Sequence, residues 1–265
     1  MGVIFRSKVA CHRLRRRLDW LLHPLPWAAG RGAPDGFPVV VSARDSPLRR
    51  APDGAIAAYT EEKTHNLMLA AAKVNGAVIA PNQVFSFCRT VGKTTSSAGY
   101  LPALELIQGE LRAEIGGGLC QLSNLLFLLA LDINAEIVER HRHSFDLFRD
   151  VERTVPFGCG ATVFYNYVDF QFRNTLPFPI LLRSWVDSEM LRAGARAAQS
   201  LPFDVRVCET DHRFFRRDGA VYRANRVWRQ VHWHDGRHWE PELITANECR
   251  VLYPADDLVG EATEG

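Results

Sequence analysis

At 265 residues the chain has room for one large domain or two small ones. With 47% hydrophobic and 23% charged residues it has the ordinary composition of a globular protein able to bury a core. A net charge of only +2 removes any overall electrostatic case for a nucleic-acid partner.

The basic residues are unevenly spread. Residues 1–32 carry Arg6, Lys8, Arg13, Arg15, Arg16, Arg17 and Arg31 against a single acid, Asp19. An export signal needs an uninterrupted apolar stretch after its basic start, but Trp20 to Ala29 is broken by His23, Pro24 and Pro26. No run approaches the ~20 apolar residues of a membrane span. Leu14, Leu18, Leu21 and Leu22 fall at helical spacing beside the arginines. Such a helix suits an anionic membrane surface, and equally a solvated face packed on its own domain. The expected location is cytoplasmic, with peripheral contact to the inner membrane surface through residues 1–30. Six cysteines (Cys11, Cys88, Cys120, Cys159, Cys208, Cys249) form no CxxC pair, so they are expected to be reduced and mostly structural.

PVVVSA, within a proline-rich stretch from Pro34 to Asp53, suits one short strand. A helix is predicted from about Glu61 with Thr60 as N-cap. Its stripe is Leu67, Ala70, Ala71 and Val74, and Asn75-Gly76 ends it. VIAPNQVFSF reads as strand, turn, strand, and Tyr100 to Ile115 as a hairpin turning at Gln108-Gly109. A second helix follows Gly116–Gly118, with Leu119, Leu122, Leu125, Leu126 and Leu129 at spacings of three and four, ending near Asn134. β signals then dominate: EIVERHRHSF, ATVFYNY, VDFQFRN, PILLRSWV, EMLRAGARA, VRVCE, AVYRANRVWRQVHWH, HWEPELI and CRVLYP. Helices early and antiparallel strands late predict an α+β fold, an antiparallel sheet with a few helices.

Cys120 sits at the seam between the three glycines and the second helix. A helix N-terminus presents free N–H groups and positive potential, which favour a thiolate nucleophile. Gly116, Gly117 and Gly118 would let a substrate backbone approach, and the N–H of Cys120 or Gln121 could form an oxyanion hole. The bland alternative is a buried structural thiol. Downstream, VERHRHSFD offers His141 and His143 on one face of a strand. Asp169 lies in the apolar, aromatic strand VDFQFRN, where a buried carboxylate needs a partner. Cys120 as nucleophile, His143 as base and Asp169 as orienter would make a thiol-enzyme triad in the layout of papain-like and transglutaminase-like enzymes.

FSF at 85–87, GY at 99–100, GGGLCQLSN at 116–124, ERHRHSFD at 139–146 and GATVFYNYVDFQFRN at 160–174 together resemble the VanW family. The resemblance covers roughly Thr60 to Ala197 and weakens towards both termini. The family is named for company in glycopeptide-resistance clusters and has no settled activity. Carried over, its motif points to Gly116, Gly117, Gly118, Gln121 and Arg140 as substrate-binding, beside Cys120, His143 and Asp169. Many members have an acid where this chain has Gly160; if that acid is the orienter, Asp169 or Asp146 takes its role here or the site is inactive. The implied setting is cell-wall metabolism or glycopeptide resistance, with a cell-wall precursor or other small molecule as substrate.

Rival sites are weaker. Asp235-Gly236 predicts a two-residue hairpin that puts His232 and His234 on one face and His238 on the other, so a three-histidine metal site does not converge. Cys120, His141 and His143 could hold zinc as an alternative. No phosphate-cradling motif is present, and no metal or cofactor is expected. Three segments are expected: a basic amphipathic stretch at 1–32, an α+β domain at 33–200, and a β extension at 201–265 packed on that domain. The function expected is a cysteine-dependent amide or ester hydrolase or acyltransferase. The alternative is a non-catalytic accessory or binding module using the same pocket.

Overall fold

The computed structural model describes residues 3–49, 59–107, 109–146, 149, 155–237 and 239–259. In chain order its elements are α1 (Val3–Leu22), β1 (Gly30–Arg31), β2 (Val39–Pro47), α2 (Thr60–Val74), β3 (Ala77–Ile79), β4 (Val84–Ser86), α3 (Phe87–Val91), β5 (Pro102–Ile107), β6 (Glu110–Ile115), α4 (Cys120–Asp132), β7 (Glu136–Glu139), β8 (Phe145–Asp146), β9 (Gln171–Arg173), β10 (Ile180–Val186), β11 (Met190–Ala197), β12 (Phe203–Arg217), β13 (Ala220–Trp233) and β14 (Glu242–Val251). The architecture is mixed α+β with mainly antiparallel sheets and few helices. No helix among the described residues is long and apolar enough to cross a membrane.

The chain divides into two compact units. The first comprises residues 1–141 and 161–201, the second residues 142–160 and 202–265. In the first unit, β1, β3, β10, β11 and β2 form an antiparallel sheet in that order. Helix α2 packs on β10, while α4 packs on β2 and β11. The α2 stripe Leu67, Ala70, Ala71 and Val74 is fully buried. Helix α4 is apolar almost all round, and Leu122 and every residue from Leu125 to Leu131 are buried, which makes it the unit's central element. At its end Asp132 faces the unfavourable end of the helix dipole. Arg44 (2.7 and 2.8 Å) and Ser42 (2.5 Å) on β2 hold the carboxylate there. A small sheet, β4–β9–β7, and the hairpin β5–β6 complete the unit.

The second unit is the antiparallel sheet β12–β13–β14, with β8 added parallel to β14. Its interior holds an ion pair between Arg223 and Asp146 (3.1 Å), and Tyr253 also donates to Asp146 (2.9 Å). The parallel pairing of β8 with β14 groups 142–160 with the C-terminal strands, a long-range link that no local pattern announces.

Several expected elements differ in detail. Thr60 lies inside α2, whose N-cap is Tyr59, and the Thr60 carbonyl accepts from the Thr64 hydroxyl (2.7 Å). FSF runs directly into the short helix α3, capped by the Ser86 hydroxyl. ATVFYNY is not a regular strand; Phe164 and Val168 close a tight bridge instead. HWEPELI and CRVLYP are served by one continuous strand, β14. The link from Trp233 to Glu242 is longer than a two-residue turn, with Gly236 at positive φ inside it. Gln108 and His238 lie outside the described residues.

Candidate functional site

The loop before α4 is built tightly. Gly116 and Gly118 have φ of +82° and +91°, a conformation that glycine adopts without strain. A Cβ on Gly116 would meet the Thr94 side chain at 2.5 Å, one on Gly117 the Ala103 carbonyl oxygen at 2.0 Å, and one on Gly118 the Lys63 side chain at 2.3 Å. The space expected for a substrate backbone is therefore filled by the chain itself. Asn66, buried on α2, donates to the carbonyls of Leu101 (2.9 Å) and Gly117 (3.1 Å) and pins the loop.

Cys120 is the first residue of α4, with Leu119 at the N-cap. The first turn uses its own N–H groups: Gln121 donates to Gly118 (3.2 Å) and Leu122 to Leu119 (3.0 Å). The Gln121 side chain is committed to β2, donating to Ser46 Oγ (2.9 Å) and the Pro47 carbonyl (2.8 Å). Neither group of Gln121 is left to stabilise an oxyanion. The next two residues strap the 161–163 segment across the helix start. Ser123 Oγ donates to the Ala161 carbonyl (2.6 Å), and Asn124 Oδ1 accepts from the Ala161 N–H (2.7 Å). This places the Val163 N–H at the Cys120 sulfur.

The electrostatics reverse the sequence expectation. Burial, and then the nearby Glu105 carboxylate, push the Cys120 thiol up to about 12, against the pull of the Val163 and Cys120 N–H groups. Cys120 keeps part of its surface exposed, yet in this environment it is a neutral thiol at physiological pH. Desolvation, with the Glu105 carboxylate second, outweighs the N–H donors at the sulfur.

Glu105, which sequence reasoning missed, is the second titratable group here. On the β5–β6 hairpin it pairs with Arg112, on the same face as the fully buried Ala103 and the half-buried Glu114. Burial, with Glu114 adding like charge, raises its carboxyl to about 7. Glu105 also acts on Tyr167, whose hydroxyl is raised mainly by burial. In the same loop as Tyr167, the Asn166 amide is buried and makes no hydrogen bond among the described residues. The available signal for Glu105 was alternation: a glutamate in phase with Ala103 within the apolar strand PALELI.

Asp169 is fully buried, but its carboxylate is occupied. It accepts from Ser86 Oγ (2.5 Å), the N–H groups of Cys88 and Phe170 (both 2.8 Å) and Gln171 Nε2 (2.9 Å). Burial raises its carboxyl above the ordinary value and these hydrogen bonds partly restore it. All four donors belong to the first unit, so the carboxylate anchors α3 and β9 and is not held for an imidazole.

The expected strand carrying both histidines stops at Glu139. That carboxylate accepts from Arg16 (2.5 Å), His141 (3.0 Å) and the Asp169 N–H (3.1 Å). Burial works against its charge, but the bonds from His141 and Arg16 outweigh it and hold the carboxyl below its ordinary value. His141 thus folds back onto Glu139, and His143 follows in an irregular segment of the second unit. The Arg140 guanidinium lies 4.5 Å from the centre of the Phe127 ring. Among the described residues no group of three His, Cys, Asp or Glu side chains could hold a metal ion. His234 is exposed and pairs with Asp204 at 3.2 Å.

Comparison with known proteins gives one family model, described as VanW like protein, matching residues 62–195. A relative from Enterococcus faecalis, named vancomycin B-type resistance protein VanW, is 29% identical over 76% of this chain and 74% of its own length. The uncharacterised protein YoaR of Bacillus subtilis is 36% identical over 47% of this chain and 39% of its own length. No solved structure matches.

Proposed function

The chain belongs to the VanW-like protein family, and from that premise we propose that it is a thiol-dependent hydrolase or acyltransferase acting on an amide or ester. Cys120 is the nucleophile, and Glu105 takes the place first given to His143 and Asp169. The observation that carries this reading is the placement of Cys120 at the first residue of α4, with the part-buried Glu105 carboxylate near enough to act on its charge. A carboxyl tuned to neutral pH in a partly buried setting is what general acid–base work requires.

The Glu105 carboxylate takes the Sγ proton, and the thiolate adds to the substrate carbonyl. The C–N or C–O bond then breaks, and the leaving group takes the proton from Glu105. Water, or an acceptor amine in a transferase, attacks the thioester and passes its proton through Glu105 to the departing sulfur. The thiol holds its proton more tightly than the carboxyl, so the first transfer is uphill. Glu105 no longer repels the thiolate once it is protonated, which lessens the climb. The layout shares with papain-like and transglutaminase-like enzymes a thiol at a helix start, with a carboxylate replacing the imidazole. The name of the enterococcal relative supports vancomycin resistance as the setting; the substrate we propose is a cell-wall amide or ester.

A second reading, a non-catalytic binding module, is favoured by the packing of the motif glycines against Thr94, Ala103 and Lys63. The two readings separate on treatment with p-nitrophenyl acetate followed by peptide mapping. The enzyme reading expects acetyl on Cys120, lost in Glu105→Gln. Acetylation of Cys120 no faster than that of the other buried cysteines favours the binding module.

A further inference from the structure

Helix α1 faces its own unit with cations and the solvent with leucines. Val9, Arg13, Arg16 and Trp20, at spacings of four, three and four, are its half-buried side. Arg13 Nε donates to the Tyr165 carbonyl (2.7 Å), and Arg16 pairs with Glu139 in a fork of two 2.5 Å bonds while also reaching the Tyr167 carbonyl (3.2 Å). Trp20 packs edge-on to Trp27 at 6.3 Å between ring centres, and the Arg89 guanidinium lies over both rings. The opposite side carries Leu14, Leu18, Leu21 and Leu22, exposed by 59%, 48%, 75% and 68%. At 3.6 residues per turn these four occupy about 100° of arc. Lys8 and Arg15 border the stripe on one edge and Arg17 on the other, all exposed. Asp19, the one acid in α1, pairs with His23 at 3.3 Å.

An ordinary surface helix turns its leucines inward. Here the inner face is fixed by Arg16 and Trp20, so the leucines cannot roll into the core without breaking the Arg16–Glu139 fork. We infer that α1 is a membrane-surface element whose leucine stripe seats in a bilayer rich in anionic phospholipid. Charge selects this occupant. A second copy of the chain meeting leucine to leucine would bring Lys8, Arg15 and Arg17 of two helices together, whereas lipid phosphates complement them. The helix lies in the interface and does not span it. The inference is independent of the chemistry proposed for Cys120.

The test is co-sedimentation of the full chain with vesicles of phosphatidylglycerol mixed with phosphatidylcholine, and with phosphatidylcholine alone. Binding is expected to the anionic vesicles and to weaken at least tenfold at roughly 0.5 M salt, where screening is severe. Leu18→Ser with Leu21→Ser, and separately Arg15→Glu with Arg17→Glu, should each reduce it at least tenfold. These side chains are exposed, so an unchanged melting curve shows that the fold is kept. No binding to anionic vesicles, or binding indifferent to the leucine changes, overturns the inference. So does a concentration-dependent dimer abolished by Leu18→Ser with Leu21→Ser, which would assign the stripe to a second copy.

Discussion

Replacing Asp169 distinguishes a structural carboxylate from an orienting one. In Asp169→Ala four buried donors lose their acceptor: the Ser86 hydroxyl, the N–H groups of Cys88 and Phe170, and the Gln171 amide. An unsatisfied buried donor costs about 1–3 kcal/mol. The hydroxyl and the side-chain amide can turn to other partners, and removing a desolvated carboxylate returns some energy. A net loss of about 4 kcal/mol remains, a large part of the 5–15 kcal/mol typical of a folded domain. Asp169→Asn keeps one oxygen for the two backbone N–H groups and should lose about 1–2 kcal/mol, while acetylation of Cys120 stays near the unmodified rate. Urea unfolding followed by tryptophan fluorescence, with the acetylation assay on the same samples, reads both quantities. An Asp169→Ala protein as stable as the parent would refute the anchoring role. An Asp169→Asn protein of normal stability that no longer acetylates at Cys120 would restore the orienting role.

Three further outcomes are expected. The folded state raises the Glu105 carboxyl from 4.5 to about 7 and so favours its protonated form. The stabilisation is complete below about pH 4.5 and is lost as pH rises through about 7, by on the order of 3 kcal/mol before allowance for partial exposure. Unfolding at pH 5 and pH 8 should show this loss in the parent and flatten it in Glu105→Gln; an unchanged difference would contradict it. Gly117→Ala drives a methyl into the Ala103 carbonyl and should cost about 3 kcal/mol or more, visible as a fall in melting temperature that conservative surface changes do not produce. At neutral pH iodoacetamide should label the exposed Cys11 well before Cys120, and mass spectrometry showing the reverse order would mean that the Cys120 thiol is activated, not suppressed.

What the sequence made legible was local periodicity. The stripe of α2, the leucine-rich α4 and the strands β10 to β13 follow from side-chain spacing, since packing selects the same faces that the pattern marks. Segments held by side chain-to-backbone bonds were not legible. The 161–167 stretch reads as a strand, yet Ser123, Asn124 and the Phe164–Val168 bridge draw it across the start of α4. The position of Cys120 could be read from the glycines, but its protonation could not. Protonation there is set first by burial and then by Glu105, 15 residues upstream on a hairpin. That Asp169 is a buried carboxylate needing partners is legible from its apolar strand; that two of its four donors come from Ser86 and the first turn of α3 is not, because α3 has no periodic signature.

The most direct test of the Cys120–Glu105 pair is the pH profile of Cys120 acetylation by p-nitrophenyl acetate, followed by peptide mass between about pH 5 and 10. Proton acceptance by Glu105 makes the rate rise with its ionisation and level off above about 7, and Glu105→Gln removes that step. A log-linear climb through pH 10 with no plateau, identical in the parent and in Glu105→Gln, is the behaviour of an unassisted thiol and would contradict it.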